Sequence, residues 1–482
     1  MVAQDNDIYF KSLIAQQSLS QLTVPSIFQD SRGFLWFGTL DGLNRYDGYN
    51  IKVFQSSADR PESISSNHIN AITEDSVGYL WIGTDKGLNR YCHASGEFIS
   101  FFKDKETEYN ISNDRVSFVY RDKLGQIWIG TEQGLDCVNQ KTLTFTKRTF
   151  NHFLYNNRII TIHDDSYGNL WIGTLKGLVK YNIKSSKYFI FRKESHNSNS
   201  ITSNHIRSVF EDSRKNLWIG TSDGLNLYDP KNDSFRHFGK TIYPDLTLTN
   251  NAVRCIIEDK EQNLLIGTNK GLNIFNLNTK TLKKYVPDKI IPGSLNHFFV
   301  YSLFVDNAET VWIGTFNGGV NYFNQKYNQF RYFNPANDLV YGGINKILLK
   351  NNNLWVATDG GGLLEYDQQY SFKNQYLFEK APRQFNSANF INSILEIDNS
   401  LLLGTETDQL LLFDLHSKKV VETINSVSHS FNNMYKTSGG ELLLCVNDTL
   451  GLRKLDLKKK KLETVTYLNN ANREMLFPFS TC

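Results

Sequence analysis

The chain has 482 residues, of which 40% are hydrophobic and 13% aromatic, with only 9 prolines. This composition excludes an intrinsically disordered chain, which would be poor in aromatic and β-branched residues. Lysine and arginine total 52 against 49 aspartates and glutamates, so the formal net charge of +3 excludes a chain-wide attraction to nucleic acid or to an anionic membrane.

The first predicted element is a strand in the N-terminal segment, residues 1–21. Within it, the stretch IYFKSLIAQQSLSQ from Ile8 resembles the last strand and exit loop of the repeat unit that follows. We predict that this strand pairs into the final blade of the fold, because free termini otherwise fray. The opening residues lack an export signal, yet the small residues after Met1 are of the kind left around a cleavage site, so export is permitted.

A repeated phrase then runs along the chain, and a period of roughly 40 to 50 residues is typical of propellers. Its strong copies are LWFGTLDGLNRYD from Leu35, LWIGTDKGLNRYC from Leu80, IWIGTEQGLDCVN from Ile127, LWIGTLKGLVKYN from Leu170, LWIGTSDGLNLYD from Leu217, LLIGTNKGLNIFN from Leu264, VWIGTFNGGVNYF from Val311 and LWVATDGGGLLEYD from Leu354. Weaker copies begin at Leu401 and Leu442.

The seven tryptophans share one position of this phrase: Trp36, Trp81, Trp128, Trp171, Trp218, Trp312 and Trp355. The first five are spaced 43 to 47 residues apart, which suits four short strands and their turns. A residue that recurs at one position of a strand is typical of packing between blades. We therefore interpret the tryptophans as structural and not as platforms for a sugar.

One unit, residues 67–102, contains four runs of strand length: HINAITED, YLWIGT, GLNRYC and GEFISFF. The turn between the first two runs has the form Asp-x-x-Gly, as at residues 30–33. The next turn has the form Thr-x-x-Gly and begins at Thr39, Thr84, Thr131, Thr174, Thr221 and Thr268. In both turns we expect the glycine to supply a positive φ. Both faces of the first strands are largely apolar, which predicts sheets covered on both sides.

These patterns predict an all-β fold of tandem β-propellers. The first seven of these copies predict a complete seven-bladed propeller over residues 22–335, and the three remaining copies predict a partial second propeller of about three blades over residues 336–482. We expect the rest of the second propeller to lie outside this sequence.

The repeat D-x-x-G-x-L-W-I-G-T-x-x-G-L-x-x-Y resembles the two-component regulator propeller repeat. The opening copy WFGTLDGLNRYDGYNIKVF is similar to the first copy in periplasmic sensors of Bacteroidetes hybrid two-component systems. The resemblance implies two seven-bladed propellers, a β-sandwich, a membrane span, and then histidine kinase, receiver and DNA-binding modules. It also implies a periplasmic location, within an inner-membrane protein, and an oligosaccharide from glycan breakdown as the input signal.

This sequence carries only the input half of that plan, so we expect neither kinase activity nor catalytic residues in it. No apolar stretch approaches the ~20 residues that cross a bilayer. The five cysteines, Cys92, Cys137, Cys255, Cys445 and Cys482, are too widely spaced for a CxxC pair or a zinc site, so no metal and no cofactor is expected. The basic run at residues 458–461 is interpreted as a solvated turn.

Propellers usually bind ligands at the face that carries the loops leaving strand four and the turns joining strands two and three. The loops leaving strand four are long and varied here, as in QSSADRPESISS from Gln55. The candidate ligand-binding residues lie at the start of the innermost strands: His68, Arg115, Arg158, His205, Arg207, Arg254, Phe299 and Tyr301. Such side chains could hydrogen-bond sugar hydroxyls, pair with uronate or sulfate and stack on a pyranose, although polar residues also line the wet channel of any propeller.

The predicted function is therefore that of a sensor input domain for an oligosaccharide, controlling polysaccharide use. Two alternatives stay open: a propeller-fold polysaccharide lyase or hydrolase, and a protein-binding scaffold. The sequence has no nucleophile elbow, HExxH motif or phosphate-binding glycine loop, whereas a pair of catalytic carboxylates would leave no sequence spacing. Nucleic acid is not expected as a partner, and homodimerisation is left open.

Overall fold

The computed structural model describes residues 8–13, 19–103, 110–148, 153, 157–289, 291, 293–326, 343–368, 371–378, 388–407, 409–425, 431–446, 452–468 and 474–476. These residues form β-strands and turns, and no α-helix occurs among them. A helix able to cross a membrane is accordingly not found in this part of the chain. The chain divides into two compact units, Met1–Tyr332 and Phe333–Cys482. The sequence placed this boundary three residues later, and that region lies outside the described residues.

The first unit contains seven four-stranded antiparallel sheets. Sheet 1 contains β2 (Ser26–Gln29), β3 (Leu35–Thr39), β4 (Gly42–Tyr46) and β5 (Ile51–Phe54). Sheet 2 contains β6 (Ile69–Glu74), β7 (Leu80–Thr84), β8 (Gly87–Tyr91) and β9 (Phe98–Phe101). Sheet 3 contains β10 (Val116–Arg121), β11 (Ile127–Thr131), β12 (Leu135–Asn139) and β13 (Thr144–Arg148). Sheet 4 contains β14 (Ile159–Asp164), β15 (Asn169–Thr174), β16 (Gly177–Asn182) and β17 (Tyr188–Phe191).

The remaining sheets of this unit follow the same order. Sheet 5 contains β18 (Ile206–Glu211), β19 (Leu217–Thr221), β20 (Gly224–Asp229) and β21 (Ser234–His237). Sheet 6 contains β22 (Val253–Glu258), β23 (Asn263–Thr268), β24 (Gly271–Asn276) and β25 (Leu282–Tyr285). Sheet 7 contains β26 (Val300–Val305), β27 (Val311–Thr315) and β28 (Val320–Phe323), and its outermost strand is β1 (Lys11–Ser12).

The second unit contains three four-stranded sheets and a short two-stranded pair among its described residues. Sheet 8 contains β29 (Ile344–Lys350), β30 (Asn353–Thr358), β31 (Leu363–Tyr366) and β32 (Phe372–Tyr376). Sheet 9 contains β33 (Ile391–Ile397), β34 (Ser400–Thr405), β35 (Gln409–Asp414) and β36 (Lys419–Asn425). Sheet 10 contains β37 (Phe431–Lys436), β38 (Leu442–Val446), β39 (Leu452–Asp456) and β40 (Lys461–Thr464), and β41 (Thr466–Leu468) pairs with β42 (Glu474–Leu476).

The seven sheets of the first unit form a closed ring. The first strand of each sheet contacts the first strands of both neighbouring sheets, and β26 of sheet 7 contacts β2 of sheet 1. Sheet 7 takes its outermost strand from the N-terminus, where Lys11 pairs with Tyr322 and Ser12 with Asn321. The unit is therefore a seven-bladed propeller in which the two ends of the unit meet in one blade, and the predicted all-β propeller class is confirmed.

The tryptophans lie in the packing layers between blades. Each is buried, and each shares a hydrophobic cluster with residues of the following sheet, as Trp81 does with Val116 and Val119 of sheet 3. The layer between sheets 6 and 7 has Leu265 at this position. A glycine two residues after the tryptophan allows the next sheet to pack closely. In sheet 2, for example, a Cβ at Gly83 would lie 2.8 Å from the Val116 side chain. The repeated phrase is thus the contact surface between blades.

The two repeated turns differ in how strictly they use glycine. In sheets 1 to 4 the last residue of the Asp-x-x-Gly turn has a positive φ and is glycine, whereas Lys215, Gln262 and Glu309 adopt the same conformation in sheets 5 to 7. In the Thr-x-x-Gly turn a positive φ occurs at five of the six predicted glycines, Gly42, Gly87, Gly177, Gly224 and Gly271. Gly134 is the exception and corrects the expectation. The turn itself is kept, since the Thr131 backbone N–H donates to the Gly134 carbonyl at 2.9 Å.

The turn aspartate organises the hairpin that follows it. In sheet 2, Asp75 Oδ1 accepts the backbone N–H groups of Val77 and Tyr79, both at 3.0 Å, and Oδ2 accepts the indole N–H of Trp81 at 2.9 Å. The equivalent indole bond is present in the other sheets of the first unit that carry a tryptophan. One carboxylate therefore fixes both the turn and the buried ring.

Sheet 8 of the second unit lacks the turn aspartate that binds the indole in the first unit. A two-residue turn, Asn351 and Asn352 with φ of 52° and 61°, joins β29 to β30, as in a type I′ hairpin. With no aspartate in the turn, the indole N–H of Trp355 finds no acceptor among the described residues. Instead the Lys418 ammonium lies 4.3 Å from the centroid of the Trp355 ring.

Candidate functional site

The start of each first strand lies beside the turn that joins strands two and three. In sheet 2, for example, Ile69 pairs with Thr84, so the residues before β6 adjoin the Thr84–Gly87 turn. The loops that leave strand four lead to the same end of the sheets. We call this end of the propeller the loop face. All eight candidate ligand-binding residues belong to it.

A β-bulge sets the position of several candidate residues. The pairing of the first strand with the second skips one residue at the same place in sheets 2 to 7. The skipped residues are Asn70, Ser117, Ile160, Arg207, Arg254 and Tyr301. A bulge leaves one residue out of the strand pairing and re-aims its side chain, so each of these six sheets places one such side chain beside the loop face.

In sheets 2 and 3 the candidate residues are paired with acids. His68 Nδ1 lies 3.2 Å from Asp85 Oδ2, and the Asn70 amide donates to the other oxygen of Asp85 at 2.8 Å. Arg115, which is exposed, lies 3.4 Å from Glu132. The basic candidate in each of these two sheets therefore has an acidic partner within its own sheet.

In sheets 5 and 6 the arginines have neutral partners. Arg207 Nε donates to Ser222 Oγ at 3.0 Å, and Arg254 Nε donates to Asn269 Oδ1 at 2.5 Å. Both arginines are partly buried. Among the described residues no carboxylate pairs with either side chain or with the exposed Arg158 of sheet 4. This side of the loop face therefore carries uncompensated positive charge.

His205 lies among these arginines, and their positive charges affect the pKa of its imidazole. Burial, followed by the positive charges of Arg207, Arg254 and Arg158, lowers the pKa of His205 to about 4. Burial and then the charge of Arg254 also lower the pKa of Arg207, which Tyr301 partly offsets. The imidazole is consequently neutral at pH 7, and the guanidinium groups supply the positive charge.

Aromatic rings flank the arginines on one side. The Arg254 guanidinium carbon lies 4.9 Å from the ring centroids of both Phe299 and Tyr301. Phe316 lies 5.8 Å from Phe299, centroid to centroid, and is 44% exposed. An exposed apolar ring thus adjoins one of the two rings that cover the cation.

The structure brings together six of the eight candidates, and we call them the basic–aromatic cluster: Arg158, His205, Arg207, Arg254, Phe299 and Tyr301. His68 and Arg115 belong to the acid-paired sheets 2 and 3, and within the described part of the chain neither forms a hydrogen bond or ion pair with a member of the cluster. Sequence reasoning missed the residues that contact these candidate side chains. Each follows the threonine that ends a second strand, and they are Asp85, Glu132, Ser222, Asn269 and Phe316. The signal was their variability at one position of an otherwise constant phrase.

The cluster contains no acid or thiol, and no group of three or more histidine, cysteine, aspartate or glutamate side chains in the described part of the chain is placed to hold a metal ion. The cluster offers guanidinium donors, an imidazole and apolar rings.

A known protein-family model matches the repeated phrase of this chain. The two component regulator propeller model matches residues 18–41, 63–86, 110–133, 156–176, 200–223 and 247–270. Each matched segment in sheets 2 to 6 covers the loop before the first strand and ends in the turn after the second. The matched repeat therefore includes the positions that form the candidate site.

Among curated proteins, a 57-residue segment is 42% identical to "Histidine kinase P4" of Formosa agariphila, covering 12% of this chain and 4% of that relative. The chain thus matches a small part of the relative's length.

Among solved structures, the extracellular domain of a putative hybrid two-component system from B. thetaiotaomicron has a TM-score of 0.63 at 20% identity, covering 95% of this chain and 72% of that one. A second such domain from B. thetaiotaomicron has a TM-score of 0.54 at 19% identity, covering 96% and 69%. At this identity the likeness establishes the fold. The chain therefore carries two component regulator propeller repeats on a fold that it shares with these extracellular domains.

Proposed function

We propose that this chain is the extracytoplasmic ligand-binding part of a hybrid two-component signalling protein, and that its ligand is an oligosaccharide. The observation that carries the proposal is the combination of six matched two-component regulator propeller repeats with a fold shared, over 95% of the chain, with an extracellular domain of such a system. In this role the chain senses, and a kinase elsewhere in the protein responds.

The composition of the loop face supports a ligand-binding role. Guanidinium, imidazole and amide groups there can hydrogen-bond hydroxyls, and the partly exposed rings of Phe299 and Phe316 can pack on a sugar ring. The opposite face consists of short, regular turns held by their own aspartates. We place the ligand at the loop face for this reason.

A binding experiment with product analysis tests this function. The purified chain is applied to an array of oligosaccharides from plant, algal and animal glycans, and hits are measured by calorimetry. We expect saturable binding of at least one glycan with no change in the glycan after prolonged incubation. New reducing ends or unsaturated products would instead identify a lyase or hydrolase, and binding to proteins but to no glycan would identify a scaffold.

A further inference from the structure

The loop face of the first propeller is electrostatically divided, and the division follows one repeat position. The residue after the threonine that ends the second strand is an acid in sheets 2 and 3, Asp85 and Glu132. It is Ser222 in sheet 5 and Asn269 in sheet 6. This residue therefore sets whether the basic side chain beside it has an acidic or a neutral partner.

The neutral partners hold the arginines by one nitrogen. Arg207 and Arg254 each use Nε, and their remaining N–H groups donate to no acceptor among the described residues. Nε anchoring fixes the plane of the guanidinium and leaves the Nη groups available. That arrangement is suited to a bidentate acceptor such as a carboxylate or a sulfate.

Crowding of like charge in the cluster is electrostatically unfavourable. Burial, and then the positive charge of Arg254, lowers the pKa of Arg207. A bound anion would relieve this repulsion and gain from the reduced solvent access, so the cluster favours an acidic ligand over a neutral one.

The aromatic side of the cluster adds a requirement for an apolar surface on the ligand. Phe299 and Tyr301 cover Arg254, and Phe316 extends the apolar surface into solvent. An inorganic anion would leave these rings unused. A pyranose that carries an acidic group would cover them with its C–H face while the acidic group meets the guanidinium.

We propose that the basic–aromatic cluster binds an acidic sugar unit, with a carboxylate or sulfate group on Arg207 and Arg254 and the ring face on Phe299 and Phe316. This inference deepens the proposed function and depends on it, since it names the class of glycan that the loop face recognises.

The test compares matched arginine variants on acidic and neutral glycans. The probes are oligogalacturonates, the same oligosaccharides with their carboxylates reduced to alcohols, and sulfated galactans, within a wider array. We expect acidic probes to bind, with about a tenfold or greater loss of affinity in Arg254→Gln and in Arg207→Gln. The control Lys184→Gln removes an exposed positive charge from the turn between β16 and β17, on the opposite face, and should retain affinity. Binding should also weaken as salt concentration rises.

The outcomes separate the two proposals. Tight binding of neutral glycans only, or acidic binding that survives both variants, overturns the acidic-sugar site and leaves the sensor function standing. An array without any bound glycan contradicts the sensor function as well. Thermal unfolding of each variant shows that the fold is retained.

A second readout does not need the correct glycan. The His205 resonances, followed by NMR against pH, should show a higher pKa in Arg254→Gln than in the unaltered protein, because one of the nearby positive charges is removed. An unchanged pKa in Arg254→Gln would show that Arg254 does not act on His205, and it would contradict the cluster on which the proposal rests.

Discussion

Single side chains decide the electrostatic behaviour of the propeller, and His163 of sheet 4 is an instance. It lies between the rings of Tyr120 and Phe210, at centroid distances of 5.9 and 5.8 Å, and its Nε2 accepts the backbone N–H of Glu211 at 3.1 Å. Although part of its surface stays accessible, desolvation lowers its pKa to about 4, against the opposing charges of Asp164 and Glu211. The imidazole is therefore a neutral acceptor that joins three sheets.

This histidine should make the first propeller less stable at mildly acidic pH. The unfolded chain has a histidine pKa near 6.5, so between pH 6.5 and pH 4 the folded state binds fewer protons than the unfolded state. The free energy of unfolding should fall by roughly 2–3 kcal/mol over this range through His163 alone. Urea denaturation of the unaltered protein and of His163→Gln, each at pH 7.5 and pH 4.5, measures this fall in the free energy of unfolding. Equal losses in both proteins would show that His163 does not contribute.

Two buried tryptophans, Trp81 and Trp171, allow the contribution of the indole hydrogen bond to be compared between sheets. Trp81 and Trp171 stack alike on Phe101 and Phe191, at 5.8 and 5.9 Å. Their aspartates differ, since Asp165 Oδ2 also accepts the Asn169 amide at 2.9 Å, whereas no second side-chain donor to Asp75 Oδ2 occurs among the described residues.

Removing the indole N–H should therefore affect the two sites unequally. We expect Trp81→Phe to lower the free energy of unfolding by about 1 kcal/mol more than Trp171→Phe, because Asp75 loses its side-chain donor and Asp165 keeps one. Chemical denaturation curves of the two variants, which remove similar volume, give the difference. Equal destabilisation would mean that ring packing alone sets the effect.

At the scale of elements, blades are tied together on the face opposite the loop face. The serine after a turn aspartate donates its N–H and its hydroxyl to a glutamate that ends the first strand of the next sheet. Ser31 pairs in this way with Glu74, Ser166 with Glu211, and Ser213 with Glu258. These bonds join neighbouring blades where hydrophobic contact between them ends.

Loss of one such tie should weaken the contact between two blades. Glu211 accepts from Ser166 at 2.9 and 2.7 Å and pairs with Lys123 of sheet 3 at 3.0 Å. We expect Glu211→Ala to lower the free energy of unfolding by about 1–2 kcal/mol. Glu132→Ala, which removes an acid of the loop face that pairs with an exposed arginine, should change it by about 0.5 kcal/mol or less. A similar effect of both variants on the free energy of unfolding, measured with urea, would contradict a stabilising link between blades through Glu211.

At the scale of the whole first propeller, stability depends on the meeting of its two ends. Phe10, buried next to β1, contacts the rings of Tyr285 and Phe323 edge-on, each at 5.4 Å, and its N–H donates to the Gly293 carbonyl at 2.8 Å. The N-terminal residues thereby complete the last blade and cover a sheet edge that would otherwise be open.

Removing this contact should destabilise the ring as a unit. We expect Phe10→Ala to lower the free energy of unfolding of the first unit by about 3 kcal/mol, since a large buried ring is lost. Tryptophan fluorescence can follow this transition, because all the tryptophans except Trp355 lie in the first unit. The surface variant Val53→Ala, on the outer strand of sheet 1, should have little effect. An unchanged transition in Phe10→Ala would show that the ring does not depend on its N-terminal closure.

The amino-acid sequence by itself determined the blade. Strand lengths, the Asp-x-x-Gly turns and the interblade role of Trp81 and its counterparts depend on contacts within about fifteen residues or on a position repeated in every blade, so periodicity reveals them. The tertiary structure decided the site. The bulges at Arg207 and Arg254 arise from the register of the first two strands of each sheet. The gathering of those arginines and Arg158 around His205 arises from the stacking of neighbouring blades. Charge compensation is a property of distances in space, and distances between blades are absent from a linear pattern.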